Sequence, residues 1–120
     1  MQSFDVQAYE NGAVVVVVIS GYFTGEAGEA VNNAVEKYVL AGKIRFLMDF
    51  SKCTLINSPG VASLLDISMK IVDDFKGRLV LCGLDQMKWT VLKMVRIIPL
   101  AETARDIQEG LQIANKDNPT

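Results

Sequence analysis

Few side chains in this sequence are equipped for chemistry, and most of those that are lie between Met48 and Leu65, in "MDFSKCTLINSPGVASLL". Asp49 and Ser51 stand two positions apart there, and Asn57, Ser58, Pro59 and Gly60 follow. Asp49 and Ser58, a carboxylate and a hydroxyl, invite a base-and-nucleophile reading. The rest of the chain argues against it. There is no histidine, which removes the usual proton shuttle, the Ser-His-Asp arrangement and His-ligated zinc. No GxxxxGK[ST] loop is present to cradle a phosphate. Cys53 and Cys82 sit in apolar surroundings and read as reduced core thiols. The sequence therefore predicts a protein that is not an enzyme and carries neither cofactor nor metal.

Ser58 has a second chemistry. Pro59 suits the first turn of a helix, because its φ is preset and its missing N–H needs no helical partner. With Pro59 as first helical residue, Ser58 is the N-cap, its hydroxyl beside the free N–H groups of the helix start. Gly60 leaves the backbone open to a partner. In an α/β sheet, the connection from a strand's carboxyl end into a helix is the usual ligand position.

The elements around that segment follow from periodicity. "SFDVQAY" alternates and reads as a half-buried strand, followed by a turn at Asn11-Gly12. Val14 to Ile19 reads as a strand covered on both faces and ended by Gly21. Thr24 caps a helix that stops near Gly42. Ile44 to Phe50 is a strand, with Ile44, Phe46 and Met48 on one face and Leu47 on the other. A second helix runs from Ser58 or Pro59 to about Phe75, its main stripe being Val61, Leu64, Leu65, Ser68, Val72 and Phe75, broadened by Ile67 and Ile71. "RLVLCG" is a strand, Asp85 caps a helix, "RIIPL" is a short edge strand, and Thr103 to about Ala114 is the last helix. Strands alternating with helices predict an α/β fold with a mostly parallel mixed sheet of about five strands.

The chain has 120 residues and half are hydrophobic, which predicts one domain over residues 1–120, with a flexible tail at about 115–120. A net charge of −2 and the absence of a basic cluster argue against nucleic acid as partner. The longest apolar run, Ala13 to Ile19, is seven residues, against the roughly 20 a membrane helix needs. With no signal-like start, the expectation is a soluble, cytoplasmic protein without membrane insertion.

"MDFSKCTLINSPGVASLL" resembles the signature of the STAS domain, found in bacterial anti-sigma-factor antagonists and appended to sulfate transporters. That signature runs Asp-Leu-Ser, then, some five residues on, Asp-Ser-Ser/Thr-Gly-Leu. Asp49-Phe50-Ser51 stands for the first part and Asn57-Ser58-Pro59-Gly60-Val61 for the second. "ISGYFT", residues 19–24, stands where the family has a Gly-x-Leu-Asp turn. Asn57 and Thr24 replace the family's aspartates, and Pro59 replaces a small hydroxyl residue.

The resemblance implies a single STAS-like domain that acts as an anti-sigma-factor antagonist. Ser58 would be its phosphoacceptor, and its partner an anti-sigma serine kinase of ATPase fold. Phosphorylation would end the binding and so regulate transcription by partner switching. The expected partner surface is Tyr22, Phe23, Thr24, Asn57, Ser58, Pro59, Gly60 and Trp89. The alternative is a non-switching STAS-like interaction module, such as a scaffold or a lipid-transport subunit. The oligomeric state is left open.

Overall fold

The computed structural model describes residues 3–116; of the expected tail, residues 117–120 lie outside the described residues. Two strands open the chain, β1 (Phe4–Asn11) and β2 (Val14–Phe23), joined through Gly12. Then come α1 (Gly25–Leu40), β3 (Arg45–Ile56), α2 (Ser58–Met69), β4 (Arg78–Cys82), α3 (Gln86–Met94), β5 (Glu102–Ala104) and α4 (Ile107–Ala114). The strands form one sheet in the order β1-β2-β3-β4-β5. The first pair is antiparallel and the other three are parallel. This is the α/β architecture expected from the alternation of elements.

The two faces of the sheet are covered differently. Val15, Val17 and Ile19 of β2 and Phe46, Met48 and Phe50 of β3 face the layer built by α1, α2 and α3. Val14, Val16, Leu47 and Val80 face α4. The valine run is thus buried on both sides, as its lack of any polar position requires. At the α4 end, Arg45 donates to the carbonyls of Ala114 and Lys116 at 2.7 and 2.9 Å. Arg78 donates to those of Ile113 and Lys116 at 2.9 and 2.6 Å. Two guanidinium groups thereby satisfy the last carbonyls of α4.

Four boundaries differ from expectation. β2 does not stop at Gly21 but continues to Phe23. Gly21 holds φ +78 within a bulged stretch, where any Cβ would strike the Ser3 carbonyl. β3 likewise runs on to Ile56, because the extra residues of β2 give it a partner: Ser20 pairs with Lys52 and Phe23 with Ile56. The second helix is α-helical to Met69 and then makes a π-turn, Lys70–Asp74. Its buried stripe is Gly60, Leu64, Ile67, Ser68 and Ile71: Leu64 and Ser68 are as expected, while Ile67 and Ile71, expected only to broaden the stripe, belong to it fully. Val61, Leu65, Val72 and Phe75 are half-buried. Ser68 tolerates burial because its hydroxyl donates to the Leu64 carbonyl at 2.7 Å.

The fourth correction concerns the end of the chain. The expected edge strand at residues 96–100 is a 3-10 turn, Ile98–Leu100, preceded by Arg96 at φ 69. Pro99 cannot donate to a ladder. The edge strand instead forms at Glu102–Ala104, where Thr103 pairs with Leu81. Thr103 is therefore strand, not helix, and α4 starts after Asp106, whose carboxylate accepts from the Glu109 N–H at 2.9 Å.

Candidate functional site

β3 is longer than its neighbour. Its pairing with β4 ends at Asp49–Cys82, while its pairing with β2 continues to Ile56. Ser51 to Ile56 therefore overhang the sheet, and the chain turns from that overhang directly into α2.

The turn is capped by Asn57, not by Ser58 as the sequence suggested. Asn57 is extended (φ −88, ψ 173), and its Oδ1 accepts from the Gly60 N–H at 2.8 Å. Its own N–H donates to the Phe23 carbonyl at 3.1 Å. That bond makes Asn57 the last residue tied to β2, so the helix begins one position later than the cap. Ser58 is the first helical residue and Pro59 the second. The residue before a proline usually avoids helical angles, which is why Ser58 looked like the boundary. Freed from capping, Ser58 is exposed, and so is Pro59.

The start of α1 lies alongside. Thr24 caps it as expected, its Oγ1 accepting from the Ala27 N–H at 3.2 Å. A Cβ at Gly25 would touch the Pro59 side chain at 3.4 Å. Two helix N-termini are thus adjacent, and their partial positive ends sum. Glu26 sits in the first turn of α1, whereas the first turn of α2 holds no acidic residue. An anion borne on Ser58 meets a favourable field there.

Other expected site residues are placed differently. Phe23 is fully buried and packs on Phe50, ring centroids 6.0 Å apart. It is a core residue, not a surface anchor, because it is the last residue of β2 and points under α2. Gly60 is also buried. It does not hold the backbone open to a partner; a Cβ there would fall on the Phe23 carbonyl, so the glycine lets α2 seat against the end of β2. Tyr22 and Thr24 are half-buried. Trp89 is half-buried under the Lys93 amine, which sits 5.0 Å from its ring. It lines a separate cleft with Leu84, Thr103 and Arg105.

Three features escaped the sequence reading. Leu55, Met87 and Val91 line an apolar groove of about 470 Å³ between the β3 overhang and α3. The signal was an apolar residue, Leu55, in a stretch read as loop. Lys88 is buried, its ammonium paired with Asp85. Hydrogen bonds from Lys88 hold the Asp85 carboxyl below the usual range. Asp49 is 6% exposed. It accepts from the Ser51 N–H at 3.0 Å and the Ser51 hydroxyl at 3.1 Å, and from the Cys82 thiol at 3.6 Å. Burial, with the Asp49 charge beside it, pushes that thiol up to about 12. Asp49 and Ser51 are thus spent on each other. They do not converge with Ser58 as base and nucleophile: Ser51 already occupies the carboxylate. Burial also raises the Cys53 thiol, and both cysteines are free and buried.

The sequence matches no protein-family model and no curated protein. Solved structures do match. An anti-sigma factor antagonist from Mycobacterium paratuberculosis superposes with a TM-score of 0.80 at 14% identity, over 95% of this chain and 96% of that one. The Bacillus cell fate determinant SpoIIAA in its phosphorylated form gives 0.72 at 18% identity, over 92% of this chain and all of the other. A sulfate transporter family protein from Wolinella succinogenes gives 0.74 at 16%, over 88% of each chain. The fold is that of the anti-sigma factor antagonists. The five strands and four α-helices of the described residues therefore make a STAS fold, and the exposed Ser58 lies at the start of its second α-helix.

Proposed function

We propose that this protein is a cytoplasmic, non-enzymatic anti-sigma-factor antagonist, switched by phosphorylation of Ser58. Unmodified, it binds an anti-sigma serine kinase of ATPase fold through the surface around Ser58, and so regulates transcription. The observation that carries this reading is the solvent-facing hydroxyl in the first turn of α2, released from capping by Asn57. The fold likeness to antagonists, one of them solved in a phosphorylated form, supports it.

The energetics favour exclusion over refolding. A phosphoserine carries close to two negative charges. At a helix N-terminus a favourable charge contributes about 0.3–1 kcal/mol, and Asn57 and Thr24 bring no carboxylate against it. The fold is kept. At an interface the same phosphate must shed water, and an unpaired buried charge costs on the order of 2–5 kcal/mol, roughly 30- to several-thousand-fold in affinity. The second effect is the larger, so phosphorylation ends binding without unfolding. Thr24, Asn57, Ser58 and Pro59 contribute to that surface, with Tyr22 at its edge.

Incubation with the cognate serine kinase tests this. Stoichiometric labelling that is absent from Ser58→Ala, and loss of an ATPase-fold partner from pull-downs with Ser58→Asp, are the expected results. A chain that binds the same partner equally well before and after labelling is a non-switching module.

A further inference from the structure

At one place in the sheet, neighbouring strands send their helices to opposite faces. β4 feeds α3, which packs on the face that also carries α1 and α2. β5, its parallel neighbour, feeds α4, which packs on the other face. The chain therefore parts at the carboxyl ends of β4 and β5. In open α/β sheets, ligands sit in the crevice that such a parting opens. Here the crevice is a cleft of about 250 Å³, lined by Leu84 and Trp89 from the α3 side and by Thr103, Ala104, Arg105 and Glu109 from the α4 side. A second hollow of about 300 Å³ adjoins it and shares Leu84 and Trp89. Neither includes Ser58.

The charges around this cleft are unevenly satisfied. Glu109 fixes Arg105: its carboxylate oxygens accept from the Arg105 backbone N–H at 3.1 Å and from its Nε at 3.0 Å. The two terminal nitrogens of that guanidinium have no partner among the described residues, and the side chain is 85% exposed. The Lys93 amine stands 5.0 Å from the centre of the Trp89 ring, and no carboxylate pairs with it among the described residues. The bordering carboxylates are all engaged within the fold. Asp85 is paired with Lys88, Asp106 caps α4, and Glu109 is spent on Arg105. Free cationic donors thus border a flat apolar ring. A carboxylate matches the open side of a guanidinium fork, and an aromatic ring matches an indole.

We propose that the crevice between the carboxyl ends of β4 and β5 binds a small aromatic carboxylate, its ring against Trp89 and Leu84 and its carboxylate on the free N–H groups of Arg105. Lys93 adds to the attracting field, and Glu109 serves as a positioning residue that aims the guanidinium. The cleft is small and open to water on the Arg105 side, so the simplest such molecule binds weakly, with a dissociation constant on the order of 1 mM. This inference is independent of the phosphate switch.

Trp89 is the only tryptophan in the chain, so its indole N–H gives a single resonance that reports on the cleft directly. Titration of the full chain with sodium benzoate, to about 20 mM at constant ionic strength, should move that resonance along a saturable curve. Benzyl alcohol, which keeps the ring and loses the charge, should bind roughly tenfold more weakly, and so should acetate, which keeps the charge and loses the ring. Arg105→Gln should weaken benzoate by roughly tenfold, with an unchanged circular dichroism melt because Arg105 is exposed. An indole resonance that shows no saturable shift with benzoate overturns the proposal. So does benzyl alcohol or acetate binding as tightly as benzoate, since ring and charge are then not read together. Benzoate binding that Arg105→Gln leaves unchanged also overturns it, because the guanidinium then holds nothing.

Discussion

The two halves of β3 have opposite fates. From Phe46 to Asp49 the strand is buried and paired on both sides, with β2 and β4. From Ser51 to Ile56 it has β2 alone, and only Cys53 is buried. The same strand is core at one end and surface at the other. The difference comes from its neighbours: β4 stops at Cys82 while β2 continues to Phe23. An overhang of this kind is ordered by its single ladder yet leaves side chains free. It places Ser58 in solvent without loosening the sheet beneath.

Substitutions along β3 test that contrast most strongly. Phe46→Ala empties a fully buried site and should lower unfolding free energy by about 3–5 kcal/mol in denaturant titration. Leu55→Ala, in the overhang, should cost less than about 0.5 kcal/mol. Similar losses at both positions would erase the distinction between the halves.

Gly60→Ala probes the join between the overhang and α2. The added methyl meets the Phe23 carbonyl, a backbone atom that cannot rotate aside. A loss of about 1–3 kcal/mol is expected, and a neutral result would mean that α2 seats less closely than described.

The boundary between the halves, Asp49–Cys82, has a signature in pH. The folded-state thiol titrates near 12, above the value of about 9 for a free thiol. Between those values the unfolded chain has lost a proton that the folded chain keeps. The contribution is therefore fully present below about pH 9 and is lost as pH rises from there towards 12. The slope is roughly 1.4 kcal/mol per pH unit at most. Cys82→Ala should flatten that alkaline slope in pH-dependent melts, whatever its effect on stability at neutral pH. A slope of equal steepness in the variant would assign the loss to other groups.

The smallest effects separate Asn57 from Ser58. Asn57→Ala removes the cap and should cost about 1 kcal/mol, whereas Ser58→Ala should change stability by less than about 0.5 kcal/mol. If Ser58→Ala were the costlier of the two, the hydroxyl would be a structural cap, and the proposed switch would lose its physical basis.

Much of this arrangement was legible from residue pattern. The valine run, the alternation of β1, the caps at Thr24 and Asp85 and the alternation of strands with helices all appear as read. So does the start of the second helix at Ser58. What misled was local. Asn57 and Ser58 are both good caps, and the proline seemed to choose the serine. A hydrogen bond from Asn57 to Phe23, some 34 positions away, reversed the choice. The stretch "RIIPL" carries strand-forming residues, but its proline cannot pair, and the ladder moved on to Thr103.

The sequence by itself determined the class of fold, the two-sided burial of its central strands, and a hydroxyl near a helix start. These depend on periodicity and on residues adjacent in the chain, which act wherever the chain goes. Only the tertiary structure decided how far β2 and β3 extend, which residue caps α2, that Phe23 and Gly60 are core, and that an apolar groove opens between the β3 overhang and α3. Each of those depends on contacts between segments distant in sequence, and no local preference encodes where the neighbouring strand stops.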